Sequence, residues 1–197
     1  MRVSGLTNVT NISQDGYLAQ SNEPERFTHV CATANGEAYC WGNGSVGQLG
    51  ATPPGYVSRR AVPVKVDRPA GLSPSDKVKK VEVGIWHSCM LMNSGKVFCW
   101  GTNMYGHLGA NLALGALPNN RSVKPIPILS GTGGIPAGER IIDLAAGANR
   151  GCAVVENGHS YCWGLNDAGQ IGDGTHIDAR SPTESLFLRP TQNRYIY

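Results

Sequence analysis

Six cysteines stand in three pairs, Cys31 with Cys40, Cys89 with Cys99 and Cys152 with Cys162, partners nine or ten residues apart. Thiols so arranged could bind zinc, exchange disulfides or form structural bonds. Zinc wants four converging ligands, typically from Cys residues two to four positions apart, and these pairs do not offer that. A redox-active pair sits closer in sequence and beside a helix start. Structural disulfides remain the leading expectation, with three pairs of reduced, buried thiols as the competitor. His29 and His87 each stand two residues ahead of the first cysteine of a pair, and Arg150 takes that place in the third. A catalytic or ligating role needs one chemistry at its place, so a site that alternates His with Arg reads as a structural donor holding a neighbouring turn. His107 falls in a glycine-bounded turn, and His159 and His176 are isolated. Asp167, Asp173 and Asp178 lie among Gly and Asn, where Asp is expected to bond local backbone, and their spacing is not that of an EF-hand. No G-x-S-x-G elbow, H-E-x-x-H pair or P-loop is present. The chain is read as non-enzymatic, with no catalytic residue, metal or cofactor.

Hairpins must position these cysteines. Asn35-Gly36 is a two-residue turn signal. It sets Ala34 opposite Glu37, and counting outward sets Cys31 opposite Cys40. Asn93-Ser94-Gly95 and Glu156-Asn157-Gly158 read as three-residue loops ending in a left-handed Gly, which set Cys89 opposite Cys99 and Cys152 opposite Cys162. The first loop is one residue shorter and so is its cysteine spacing, so all three pairs stay face to face at non-hydrogen-bonded positions. There the Cα atoms sit ~4.5 Å apart, within disulfide reach. Alternation points Trp41, Trp100 and Trp163 to the face opposite the cysteines, across from Val30, Ser88 and Gly151. One face of each hairpin is aromatic and the other small. Stacked units can nest large against small, so the three tryptophans are expected as structural core. Gly42, Gly101 and Gly164 follow them and are expected to turn the chain at the hairpin's end.

The hairpins repeat. HVCATANGEAYCWGNGSVGQLG from His29, HSCMLMNSGKVFCWGTNMYGHLG from His87 and RGCAVVENGHSYCWGLNDAGQIG from Arg150 align, with their tryptophans 59 and 63 residues apart. Apolar strands precede them at Val78–Gly84 and Ile141–Gly147, with Val9-Thr-Asn-Ile12 in the first unit. Stretches carrying Pro beside apolar residues follow, as at Pro63–Val66 and Pro125–Ile128. A period near 60 with several short strands per unit suits a propeller blade. The run H-x-C-x-(L/V)-x-x-x-G-x-(V/S)-x-C-W-G-x-N-x-x-G-(Q/H)-(L/I)-G resembles the regulator of chromosome condensation repeat, in a cysteine-containing variant of secreted type, over residues 3 to about 188. The resemblance implies an all-β fold: β-propeller blades of four-stranded antiparallel sheets, about three of the seven in a ring. The whole of 1–197 is then a partial propeller, with blade cores around 9–50, 78–109 and 141–172. It also implies binding of a protein partner through the rim and loops. Some family members are guanine-nucleotide exchange factors for small GTPases, and exchange is the alternative function.

Seventeen Lys and Arg against fourteen Asp and Glu give a net charge of +3. The cations are scattered, grouped only at Arg59-Arg60 and Lys77 to Lys80, whereas nucleic-acid binders gather them into a patch. No run of 18 apolar residues exists, so no membrane insertion is expected. Regular cysteine pairs argue for an oxidising compartment: secreted, periplasmic or cell-surface. No signal peptide is visible, and one would lie upstream. Val3-Ser-Gly-Leu6 reads as the end of one inter-blade stretch and Ser181-Pro182-Thr183 as the start of another, so both ends fall mid-repeat and a longer parent or a truncated gene is expected. Self-association to complete the ring is the lesser expectation. Sequons occur at Asn8, Asn11, Asn43 and Asn120, of which Asn43 falls inside a blade motif. The insertion Tyr17–Phe27 and the long connection Gly115–Ile135 are the expected contact surfaces, with individual binding residues unassigned.

Overall fold

Glycine at 26 positions and proline at 12 leave little sequence that a long helix tolerates, and twelve short strands are the main regular structure among the described residues. The computed structural model describes residues 5–15, 28–52 and 58–186. Blade 1 holds β1 (Val9–Asp15), β2 (His29–Ala34), β3 (Glu37–Asn43) and β4 (Arg59–Lys65). Blade 2 holds β5 (Val78–Val83), β6 (His87–Met92), β7 (Val97–Thr102) and β8 (Arg121–Pro127), and blade 3 holds β9 (Ile141–Gly147), β10 (Arg150–Val155), β11 (Ser160–Gly164) and β12 (Ala179–Glu184). Each blade is a four-stranded antiparallel meander in chain order. A single 3₁₀ turn, Pro118–Asn120, precedes β8.

Register repeats from blade to blade. Asn35 and Gly36 have φ of 52° and 72°, the turn that the first hairpin requires. Cys31 faces Cys40, Cys89 faces Cys99 and Cys152 faces Cys162. Each first strand shifts register at one place, between Val9 and Asn11, Val78 and Lys80, and Ile141 and Asp143. Each third strand shifts against the fourth at the tryptophan, between Cys40 and Gly42 and at the two equivalent places. Gly42, Gly101 and Gly164 form the last pairs at the open ends of the hairpins, opposite His29, His87 and Arg150, the first residues of β2, β6 and β10. Gly101 has a φ of 105°, and a Cβ there would stand 2.3 Å from the Trp86 carbonyl oxygen.

The fourth strands lie in the proline-bearing stretches, beyond the segments 9–50, 78–109 and 141–172. Residues 115–135 are accordingly not one long connection, because β8 runs through them. Pro63, Pro125 and Pro182 occupy the same register in β4, β8 and β12. Proline fits there because an outermost strand is bonded along one edge only. The innermost strand β5 lies against both β1 and β9. Side chains stitch these strands together: Asn11 Oδ1 accepts the Val81 N–H at 3.0 Å, and Lys80 Nζ donates to the Leu144 carbonyl at 2.8 Å.

The core lies between the sheets. Cys31, Ala38 and Cys40 of blade 1 pack against Met90, Met92, Phe98 and Trp100 of blade 2. Cys89, Leu91, Val97 and Cys99 of blade 2 pack against Ala153, Val155, Tyr161 and Trp163 of blade 3. Each seam thus sets a small, sulfur-bearing face against a large, aromatic one, burying apolar area at ~25 cal/mol per Å².

Candidate functional site

All three cysteine pairs are disulfide-bonded, each with its Cα atoms 4.1 Å apart. The first two bonds are fully buried within seams. In the third, Cys162 is 7% exposed and Cys152 is half-buried. Among the described residues no further sheet covers that face of blade 3.

In each seam a tryptophan donates to a backbone carbonyl of the preceding blade. Trp100 Nε1 of blade 2 donates to the Gln48 carbonyl of blade 1 at 2.8 Å. Ser88 Oγ donates to the same carbonyl at 3.0 Å. His29 Nε2 lies 2.7 Å from Ser88 Oγ. The hydroxyl has one proton and gives it to Gln48, so His29 carries its proton on Nε2 and donates to Ser88. Burial holds the His29 ring's pKa down to about 3, so the ring is neutral.

At the second seam Trp163 Nε1 donates to the His107 carbonyl at 2.9 Å. Here Gly151 stands where blade 2 has Ser88, because the Trp163 indole lies 2.6 Å from where a Cβ would be. His87, the counterpart of His29, is fully buried and has no side-chain hydrogen-bond partner among the described residues. Burial, and then the neighbouring His107 and His29 rings, push its pKa well below the ordinary value. His107 does the work of a glutamine. Gln48 Oε1 accepts the Val46 N–H at 2.9 Å and Gln170 Oε1 accepts the Ala168 N–H at 3.0 Å. His107 Nδ1 accepts the Tyr105 N–H at 3.4 Å, and its Nε2 lies 3.2 Å from Asn149 Oδ1. Burial lowers its pKa to about 4, against smaller opposing effects from Asn149 and Asp178. His29 and His107 thus act on blade seams and turns, a role signalled in the sequence by the alternation of His29 and His87 with Arg150 and by the exchange of His107 for Gln.

Trp100 and Trp163 are 0% exposed, whereas Trp41 is half-buried and makes no corresponding bond among the described residues. Asp178 and Asp173 bond local backbone: Asp178 Oδ1 accepts the Asn166 N–H and Asp173 Oδ1 the Thr175 N–H. Among the described residues no three His, Cys, Asp or Glu side chains group as a metal site requires. Asn43 is 6% exposed, with its Oδ1 accepting from Ser45 and Gln48. Asn11 Oδ1 is engaged by Val81, whereas Asn8 is exposed. Lys77 pairs with Glu37, and Lys80 with Glu82 and Asp143. The insertion Tyr17–Phe27 lies outside the described residues. The connections after β7 and β11 expose Met104, Leu114 and Ile177 at the rim. No helix among the described residues is long and apolar enough to cross a membrane.

The family model for the regulator of chromosome condensation (RCC1) repeat matches residues 35–91 and 94–154, and a second model of the same repeat matches 78–106 and 141–170. The human E3 ubiquitin-protein ligase HERC2 is 34% identical over 74% of this chain and 3% of its own length. The secretion-regulating guanine nucleotide exchange factor of Mus musculus is 28% identical over 99% of this chain and 40% of its own. The crystal structure of yeast RCC1 (Prp20) bound to Kap60 superimposes with a TM-score of 0.67 at 20% identity, over 95% of this chain and 38% of that one. The chain therefore spans less than half of each of these proteins.

Proposed function

Because this chain belongs to the regulator of chromosome condensation repeat family, we propose that it is a non-enzymatic protein-binding propeller scaffold that makes its contacts through rim loops. One observation carries the reading: the repeated residues are consumed in the seams. Trp100, Trp163, Ser88, His29 and His107 bond to neighbouring blades or turns, and what differs between blades lies in the connections. Binding residues on a rigid scaffold concentrate in such loops. Yeast RCC1 (Prp20), which shares this fold, was solved bound to a protein, Kap60, and that likeness supports the reading. Three intrachain disulfides support a secreted, periplasmic or cell-surface setting. The test is affinity capture with the disulfide-intact protein, alongside glycan arrays and lipid vesicles. A specific protein partner is expected. Capture of none, with a glycan or lipid bound instead, refutes the scaffold.

Guanine-nucleotide exchange is the second reading, favoured by likeness to the secretion-regulating exchange factor. Exchange on a small GTPase operates in a reducing compartment, where these cysteines would be thiols. A thiol count on protein purified without reductant separates the two: none free supports the scaffold in an oxidising compartment, and all free supports exchange.

A further inference from the structure

The outer corners of blades 1 and 2, at the end that carries the hairpin turns, have the same register and opposite characters. Glu37 corresponds to Lys96, Ala38 to Val97, Val66 to Ile128, Arg68 to Ser130 and Val78 to Ile141. At the blade 1 corner the cavity is about 10 Å³. Arg68 lines it and donates to the Ser73 and Asp76 carbonyls, tying the connection to blade 2 over the corner. Glu37 there is neutralised by Lys65 at 3.5 Å and Lys77 at 3.9 Å. At the blade 2 corner the cavity is about 730 Å³, a size that takes a ligand. Ser130 is too short to repeat the Arg68 tie.

Val97, Ile128, Ile135 and Ile141 line this groove, each no more than 8% exposed. Ala70–Leu72 wall it on one side and Pro136–Arg140 on the other. Arg140 pairs with Glu156 at 3.9 Å and donates to the Asn93 carbonyl at 3.0 Å, and Glu139 is held by the Asn157 amide at 2.8 Å. Lys96 is exposed, and among the described residues its ammonium has no partner. The fold does not require this opening, since blade 1 closes the same corner.

We propose that this groove binds an extended peptide segment of a protein partner, taking an apolar side chain on its floor and an adjacent carboxylate on Lys96. The proposal rests on the scaffold reading and names its site and chemistry. The groove runs from one inter-blade connection to the next across the corner of blade 2, which suits a chain laid across it. The apolar floor supplies the affinity, and the unpaired cation sets the preference for acidic neighbours.

The probe is acetyl-Leu-Asp-Leu-Asp-amide, titrated into the full 197-residue disulfide-intact chain and followed by amide NMR. Shifts are expected at Val97, Ile135 and Arg140. K96E and S130R install the residues that blade 1 carries at these places, so the fold is kept, and unchanged spectra in blade 1 check this. K96E should weaken binding about tenfold at low salt, as should replacing both Asp with Asn in the peptide. S130R should abolish it. No shift at the groove, binding undiminished in S130R, or 4-methylpentanoate binding as tightly as the peptide each overturns the proposal. A captured protein partner that the K96E/S130R double variant retains also overturns the groove, while leaving the scaffold reading standing.

Discussion

Mild acid should unfold this protein through its seams. His29 and His107 have pKa values lowered by burial to about 3 and about 4, against 6.5 in an unfolded chain. The folded state refuses protons that the unfolded state takes up. Stability is therefore full above pH 6.5 and drains away as pH falls toward the folded values. At pH 5 both native rings are still neutral and the unfolded ones are almost wholly charged. With ~1.4 kcal/mol per pH unit, each ring costs about 2 kcal/mol there, and the pair about 4 kcal/mol. His87, also pushed low, acts in the same direction. Urea unfolding followed by tryptophan fluorescence at pH 8, 6.5 and 5, with disulfides intact, measures this directly. His107→Gln isolates one contribution. Gln48 and Gln170 already serve as the acceptor at that place, so the variant should match the parent at pH 8 and recover about 2 kcal/mol at pH 5. An unfolding free energy constant to within about 0.5 kcal/mol across this range, or a His107→Gln variant as acid-sensitive as the parent, would refute the linkage.

Three other outcomes follow from the same geometry. Trp100→Ala and Trp163→Ala each remove a fully buried indole and its bond to a carbonyl, so each should cost about 3–5 kcal/mol in urea unfolding. Trp41→Ala, at a half-buried site, should cost clearly less. Under limiting phosphine, alkylation and mass spectrometry should find Cys152–Cys162 reduced first, because Cys152 alone among the six is half-buried rather than buried; simultaneous loss of all three bonds would contradict this. Gly101→Ala forces a φ of 105° on a Cβ 2.3 Å from the Trp86 oxygen, and should lower the stability read by thermal melting by more than ~2 kcal/mol.

Local chemistry made much of this legible. The Asn35-Gly36 turn, a two-residue period and the cysteine spacing were enough to place Cys31 opposite Cys40 and Trp41 opposite Val30, because each follows from counting outward from a turn. The fourth strands were hidden by their composition. Pro63, Pro125 and Pro182 read as connection, yet proline is tolerated on an edge. The register shift between the third and fourth strands at the tryptophan was hidden too, because it leaves no mark on a single strand. The seam donors depend on which carbonyl a neighbouring blade presents, a three-dimensional fact about Gln48 and His107. The open corner beside Lys96 was invisible for the same reason: only the structure puts Ser130 where Arg68 would be.

Every sulfur bridge lies inside one hairpin, and none crosses a seam. Tension applied to the two ends of the chain would meet only non-covalent joints between blades, which can open in succession and reseal. The bridges close loops nine or ten residues in sequence separation, so about 100 Å of contour length stays locked until reductant is added. Such a molecule would lengthen in three steps when stretched, each shorter in oxidising medium than in reducing medium.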